Sequence, residues 1–590
     1  MGHLSALNKY FLKYKWRLIL GLLFVSISNF FAARPAAIVR EVIDDVQRAM
    51  KKGPLQPAQQ EEIVHMVVWT GLLLLGLALL RGIFMFFMRQ TIIVMSRLIE
   101  FDQKNEIYNH YQELHTHFFR SHFTGDLMNR VAEDVSRVRM YTGPSIMYAT
   151  NLVVLTIICV WNMLRVNPML TLYVVLPLPL LAITIYTVNR VIFKKSEHIQ
   201  SQLSSLTSTA QETYSGIRVI KSFVQEKSML GFFNRTSDNY RKSAINLSLT
   251  EAVYFPAMNL FIGLSMLSTV LIGGYLAIKG SISAGNIAEF VIYINLLMFP
   301  ISSIGWVAGM IQRAGASQKR INEFLHTAPE IYSKEKAIRV PEGFKGEVRF
   351  EQVDFTYPHT GITALKGFDL HIRSGEKIAV IGRTGSGKST IAHLLLRMYD
   401  TTSGKVSVDG VDVRDYDIRD LRRNIGYAPQ DTYLFSDTVF NNIRFGRGEA
   451  GREAVEEAAR LADLVKDLEH LQKGYDTVVG ERGVMLSGGQ KQRIVLARAL
   501  ITNAGLLILD ECLSAVDTQT EKRILTNLKE YLADRTCIVI THRLFPDWKF
   551  DRIIVMDEGR ISEQGTHEQL LALNGQYAAL YRHQTAISGG

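Results

Sequence analysis

Leu506–Asp517, LLILDECLSAVD, is the stretch on which the fold turns. Leu506 to Leu509 form a short continuous apolar run, the pattern of a strand buried on both faces, and it ends on two adjacent carboxylates, Asp510 and Glu511. An acidic pair after an apolar strand is common by itself. Its meaning comes from upstream, where GRTGSGKST (Gly382–Thr390) follows the apolar run Lys377–Ile381 and opens a helical pattern. In that loop Gly382, Arg383, Thr384, Gly385, Ser386 and Gly387 let backbone N–H groups converge on phosphate oxygens, and the helix entered at Lys388, Ser389 and Thr390 points its positive end at them. Lys388 is expected to reach the β- and γ-phosphates of ATP, and the Ser389 hydroxyl to bind Mg2+. Asp510 then belongs to the Mg2+ shell, and Glu511 polarises the attacking water. LSGGQ (Leu486–Gln490) lies between these two pieces, and the ordered set predicts an ATPase.

A chain of 590 residues is too long for one core, so two or more domains are expected. Hydrophobic residues make up 47% of it and the mean hydropathy is +0.08, an average of an oily first half and an ordinary second half. Six segments are long and apolar enough to cross a bilayer: Leu18–Ala33, Val64–Met88, Ile146–Leu164, Leu170–Val188, Tyr254–Ile278 and Ile287–Ile311. The helical pattern of the first is open to extension past Pro35. Phe31, next to Ala32 and Ala33, fills the place a cleavage site would give to a small residue, so a retained first span is expected rather than a removed signal peptide. Arg81, inside the second span, reads equally as a snorkelling or helix-paired charge and as a substrate contact. Net charge is +10, for which six spans give an ordinary cause in basic cytoplasmic loops, and no basic stripe with interleaved aromatics points to nucleic acid. Cys159, Cys512 and Cys537 are isolated and lack the spacing of a disulfide framework or a cysteine zinc site.

Between spans, Asn162–Met169 and Lys279–Asn286 are short turns, whereas Thr91–Gly143 and Asn189–Glu251 are long and polar with helical periodicity. The spans are therefore expected to continue as cytoplasmic helices, reversing at Thr124-Gly125-Asp126 and Ser215-Gly216-Ile217. The organisation predicted is an α-helical six-span domain over residues 1–325, a linker over 326–346 and an α/β phosphate-loop domain over 347–590.

With these motifs in place, residues 350–570 resemble the nucleotide-binding domain of ABC transporters, and nearly the whole chain resembles an exporter half-transporter of the type IV fold, similar to bacterial lipid A flippases and multidrug exporters. The resemblance implies that Ser487, Gly488, Gly489 and Gln490 grip the γ-phosphate of ATP held by an opposite chain, which makes a homodimer the expected assembly. It also implies that Tyr357 (in VDFTYP) stacks on adenine, that Gln430 (in YAPQ) contacts Mg2+ and the attacking water, and that His542 (in VITHR) contacts the γ-phosphate. Ser514–Asp517 matches the loop that couples the two sites, and Val479–Gly483 a loop that touches cytoplasmic helices in exporters. Phe119–Arg130 and Gln211–Phe223 resemble the two intracellular loops that dock on nucleotide-binding domains. Cys512-Leu513 and Phe545-Pro546-Asp547-Trp548 depart from the family pattern without removing a catalytic group.

The function implied is ATP-driven export or flipping of an amphipathic lipid, drug or peptide across the cytoplasmic (inner) membrane, with membrane lipid and a second copy as partners. An ATP-gated channel or regulator of the same fold is the competing reading. Phe84, Phe86, Phe87, Tyr254, Phe261 and Phe299 give the spans aromatic faces, which serve packing more often than ligand contact.

Overall fold

The computed structural model describes residues 2–51, 57–544 and 548–588, which leaves Phe545, Pro546 and Asp547 of the departures above outside the described residues. The chain forms two compact units, Met1–Tyr111 with Gly125–Thr327, and Gln112–Thr124 with Ala328–Gly590. The tip of the first long loop is thus part of the second unit.

In the first unit six helices, Lys15–Lys51, Pro57–Glu113, Thr124–Val166, Pro168–Ser215, Glu226–Ile278 and Ala284–Leu325, are long and apolar enough to cross a membrane. Each is longer than the span read from hydropathy. The apolar window marks the lipid-facing part, while the same helix continues through polar sequence whose backbone bonds are already satisfied within it. The first helix runs through Pro35, and the sixth through Pro300. Apolar side chains stay exposed on outer faces, Trp69, Leu72, Leu75 and Leu79 among them, as a hydrocarbon solvent requires. Arg81 is exposed and makes no ion pair among the described residues.

The first reversal lies slightly upstream of its expected place. Backbone at His115 and His122 is extended on either side of a short helix, Thr116–Ser121, and Thr124-Gly125-Asp126 already form the first turn of the next helix. Thr124 and Asp126 are favoured at helix starts, which is why a turn read from Gly125 alone is displaced. The second reversal does begin at Gly216, which ends one helix and starts the short Ile217–Ser222.

Polar contacts stitch the sixth helix to the first. Ser283 caps the sixth helix in a reciprocal box with Asn286, its hydroxyl donates to Asp44 Oδ2 at 2.6 Å, and the Gly285 N–H donates to Asp44 Oδ1 at 2.9 Å. Arg40 pairs with the buried Glu289 at 3.2 Å, and Tyr293 Oη donates to Glu289 at 3.0 Å.

The second unit holds two sheets. Strands β1 (Val348–Thr356), β2 (Thr363–Ile372), β4 (Ser403–Val408) and β5 (Val411–Asp412) make an antiparallel sheet in the order β2-β1-β4-β5. Strands β3 (Lys377–Gly382), β6 (Ile425–Ala428), β7 (Leu506–Asp510), β8 (Thr536–Ile540), β9 (Arg552–Asp557) and β10 (Arg560–Gly565) make the other, in the order β10-β9-β3-β8-β7-β6. Within it β9, β3, β8, β7 and β6 are mutually parallel. Every residue of β7 is buried, with Leu506 and Ile508 in one core and Leu507 and Leu509 in the other, which explains the unbroken apolar run. The segment before β1 is fastened to this unit: Ile338 bridges Tyr416, and the Val340 N–H donates to Asp420 at 2.6 Å.

A Cβ at Gly285 would lie 2.5 Å from the Arg40 carbonyl oxygen and 2.6 Å from Asp44 Oδ1. Gly285→Val is expected to push the first and sixth helices apart at a cost of ~1–3 kcal/mol and to lower the melting temperature of the detergent-solubilised protein. An unchanged melt contradicts this packing.

Candidate nucleotide site

Parallel strands bring chemistry to their carboxyl ends, where loops diverge and a crevice opens. Here β3 runs into Gly382–Gly387, β6 is followed by Gln430, β7 ends in Asp510-Glu511, and His542 stands just beyond β8. Residues far apart in sequence are therefore neighbours.

The phosphate loop is held in shape by contacts that exclude side chains. Gly382 has φ +153 and a Cβ there would meet the Met556 carbonyl oxygen at 2.3 Å; Gly387 has φ +98 and would meet that of Ala364 at 2.3 Å. Lys388, buried, donates to the loop's own Gly382 and Arg383 carbonyl oxygens at 3.0 Å each and stands 3.3 Å from His542 Nε2. Burial draws its ammonium below the usual lysine value, against the pull of Glu511 and Asp510. Within the same loop the Ser386 hydroxyl is enclosed and has no hydrogen-bond partner among the described residues. An orphaned donor in a ring of backbone N–H groups, beside a buried cation, suits a polyphosphate.

The two adjacent carboxylates face different neighbours. Ser389 Oγ donates to Asp510 Oδ1 at 3.1 Å, a hydroxyl and a carboxylate set for one small hard cation such as Mg2+. Glu511 has φ +49, a conformation rare for a residue with a side chain, and its N–H donates to the Ile540 carbonyl at 2.9 Å. Its carboxylate accepts from Gln430 Nε2 at 2.7 Å and lies 2.7 Å from His542 Nε2. Gln430, assigned from sequence to both water and Mg2+, thus bonds Glu511 in this state. Burial, reinforced by the Glu511 charge, pushes Asp510 from the usual 3.8 up to about 6, with the Ser389 hydrogen bond opposing.

Tyr357 lies on the same unit with its hydroxyl 3.0 Å from both Thr390 Oγ1 and His393 Nδ1, and its ring edge-on to Phe355 and Tyr399. Burial lowers His393 to about 4, so the imidazole is neutral near pH 7. Sequence reasoning did not single out His393, which reveals itself only through the fold.

Ser487 caps the helix Gly488–Leu500 in a reciprocal box with Gln490, leaving the first-turn amides of Gly488 and Gly489 as orphan donors. Among the described residues no hydrogen bond joins Ser487–Gln490 to the phosphate loop. This helix reaches the Ser514–Asp517 loop instead: Gln492 Nε2 donates to Ser514 Oγ at 2.7 Å and its Oε1 accepts from the Ala515 N–H at 2.8 Å. Arg543, next to His542, donates to the Ser514 carbonyl at 2.8 Å, so one loop is tied both to the helix Gly488–Leu500 and to the segment after β8 that carries His542. Gln492 was also missed from sequence, because a glutamine inside a helix carries no signal of its own.

In the first unit, a cavity of about 1130 Å3 opens between the helices Pro168–Ser215 and Ala284–Leu325. Tyr186, Phe193 and Trp306 give it apolar wall, and Arg190, Lys194 and Arg313 line it without a carboxylate partner among the described residues. Among the described residues Glu197 is the one carboxylate on that wall.

Both parts of the chain match known protein families. Residues 18–301 match the family described as ABC transporter transmembrane region, and residues 365–514 match the one described as ABC transporter. The ATP-dependent lipid A-core flippase of Chromohalobacter salexigens is 36% identical over 513 residues, covering 87% of this chain and 88% of that protein. The multidrug resistance-like ATP-binding protein MdlA of Escherichia coli is 35% identical over 482 residues, covering 82% of this chain and 81% of its own. A solved bacterial Atm1-family ABC exporter with ATP bound superposes with a TM-score of 0.79 at 26% identity, over 97% of this chain and 98% of that one.

Two outcomes follow from the carboxylate pair. Glu511→Gln should lower steady-state ATP turnover by about 10²–10⁴ while a fluorescent ATP analogue still binds; turnover at the wild-type rate contradicts the role. Asp510 binds a proton more tightly folded than unfolded, so with nucleotide and Mg2+ removed it contributes stability below pH 6 that is lost as pH rises through that value. Asp510→Asn should therefore raise the melting temperature more at pH 7.5 than at about pH 5, and an equal effect at both contradicts the burial argument.

Proposed function

The chain belongs to the ABC transporter family as an exporter with membrane region and ATPase on one polypeptide, and from that premise we propose that two copies export an amphipathic substrate with an anionic head group. It is a multi-pass protein of the cytoplasmic membrane with its ATPase domain in the cytoplasm, and ATP hydrolysis drives its transport.

Every group needed for hydrolysis is present on this chain, which supports a homodimer in which each copy caps its partner's nucleotide with Ser487–Gln490. Lys388 exchanges the Gly382 and Arg383 carbonyls for phosphate oxygens, and Ser386 gains the acceptor it lacks. Glu511 orients water and takes up its proton, held in place by Gln430 and His542. Ser389 and Asp510 would hold Mg2+, which when bound would supply positive charge to offset that of the phosphates. Only a closed pair offers ATP both surfaces, so ATP favours closure by its differential affinity. The loop tip Gln112–Thr124 belongs to the ATPase unit while the helices that bear it belong to the membrane unit, so closure moves the spans through covalent continuity.

The cavity carries the substrate assignment. Aromatic wall beside Arg190, Lys194 and Arg313, which have no carboxylate partner among the described residues, fits an apolar body with a negatively charged head, and two copies double that charge. The relatives named lipid A-core flippase and multidrug resistance-like protein are similar to this chain over most of its length.

In reconstituted vesicles, anionic amphiphiles should stimulate ATP hydrolysis more than neutral or cationic ones of equal chain length. Arg190→Ala with Arg313→Ala should raise the half-stimulating concentration by roughly tenfold, about 1.4 kcal/mol, with basal ATPase kept. Equal stimulation by all head groups contradicts the assignment.

A further inference from the structure

Away from the nucleotide site, the described residues bring three ligating side chains to one point: His115, His117 and Glu330. The two histidines come from the reversal Gln112–Thr124, and Glu330 from the segment after the sixth span, all within the second unit. Glu330 Oε2 lies 2.9 Å from His115 Nε2 and 3.7 Å from His117 Nδ1, and one ligand atom from each residue falls within 4.8 Å of the others. Ligands placed tetrahedrally about 2.0–2.1 Å from zinc stand about 3.3–3.4 Å apart, a value bracketed by the two edges that Glu330 makes. His117 Nδ1 is enclosed and has no hydrogen-bond partner among the described residues, where a buried imidazole nitrogen normally finds one.

We propose that His115, His117 and Glu330 form a binding site for a divalent first-row cation, zinc in the first place, with water as the fourth ligand. Two imidazoles and a carboxylate are a zinc donor set and a poor one for Mg2+, which prefers oxygen throughout. No cysteine takes part.

The site also has a built-in cost that makes it regulatory rather than resident. The Glu330 N–H donates to His115 Nδ1 at 3.2 Å, so without metal the ring proton sits on Nε2 and is shared with Glu330 Oε2. A ligating imidazole donates from its other nitrogen, so metal at Nε2 moves that proton to Nδ1 and expels the Glu330 N–H. Occupancy therefore shifts the connector at Glu330 while fastening it to the reversal. That reversal also reaches the hairpin carrying Tyr357, since the His117 and His359 rings stand 6.0 Å apart and those of His359 and Tyr357 5.6 Å. A bound cation restrains the segments that closure has to move, and slows ATP turnover.

The test is a titration of zinc chloride into the full-length protein in detergent without nucleotide, against a chromogenic chelator. We expect a single zinc per chain with micromolar affinity that millimolar Mg2+ does not displace. His117→Ala and Glu330→Gln should each weaken it by about tenfold or more, keep zinc-free ATPase and escape inhibition by zinc. Absence of saturable binding, or binding that both substitutions leave untouched, overturns the proposal. Should a variant lose zinc-free ATPase, X-ray absorption at the zinc edge on the wild-type protein decides: two imidazoles with oxygen support the site, and any other shell overturns it.

Discussion

Two neighbouring carboxylates at the end of one buried strand meet different partners, because the fold separates them. Asp510 continues the line of β7 and meets the Ser389 hydroxyl, while Glu511 turns into φ +49 and meets Gln430 and His542. The cost of that backbone conformation is held by the Glu511 N–H to the Ile540 carbonyl, a bond that exists only because β7 and β8 are parallel neighbours. Strand order is thus the requirement from which the proposed hydrolytic site follows. Reverse or reorder β7 and β8, and neither Glu511 nor His542 would face Lys388.

Much of this was legible in the sequence because the phosphate loop and β7 are local. A glycine-rich turn between strand and helix, and an apolar run ending in two acids, carry their structure within a few residues. The depth of the run also announced burial on both faces. What escaped was whatever depends on residues far apart. His393 behind Tyr357 and Gln492 against Ser514 emerge from packing, and no periodicity marks them. Helix ends were under-read for a different reason: hydropathy reports where lipid stops, whereas a helix stops where its backbone bonds do. The reversal near Thr124 was displaced because Gly125 looks like a turn and here opens a helix.

The departure Cys512-Leu513 has a packing explanation. Both side chains are buried in the core that lies under the helix Gly488–Leu500, and burial pushes the Cys512 thiol up to about 12, leaving it inert near neutral pH. The residues that follow share this logic, since Ser514 and Ala515 are tied to Gln492 and Arg543 rather than left free. Rigid support below the Ser487 helix start is what the proposed capping of a partner's nucleotide requires.

The central claim is that each ATP is gripped by the phosphate loop of one copy and capped by the Ser487 tract of the other. Mixed dimers test it, with Lys388→Ala on one copy and Ser487→Arg on its partner. Neither variant alone can build an intact site, but a cross-chain arrangement leaves the mixed pair one intact phosphate loop facing one intact tract. The account predicts that mixing restores nucleotide occlusion, one ATP per pair; no recovery on mixing would contradict it.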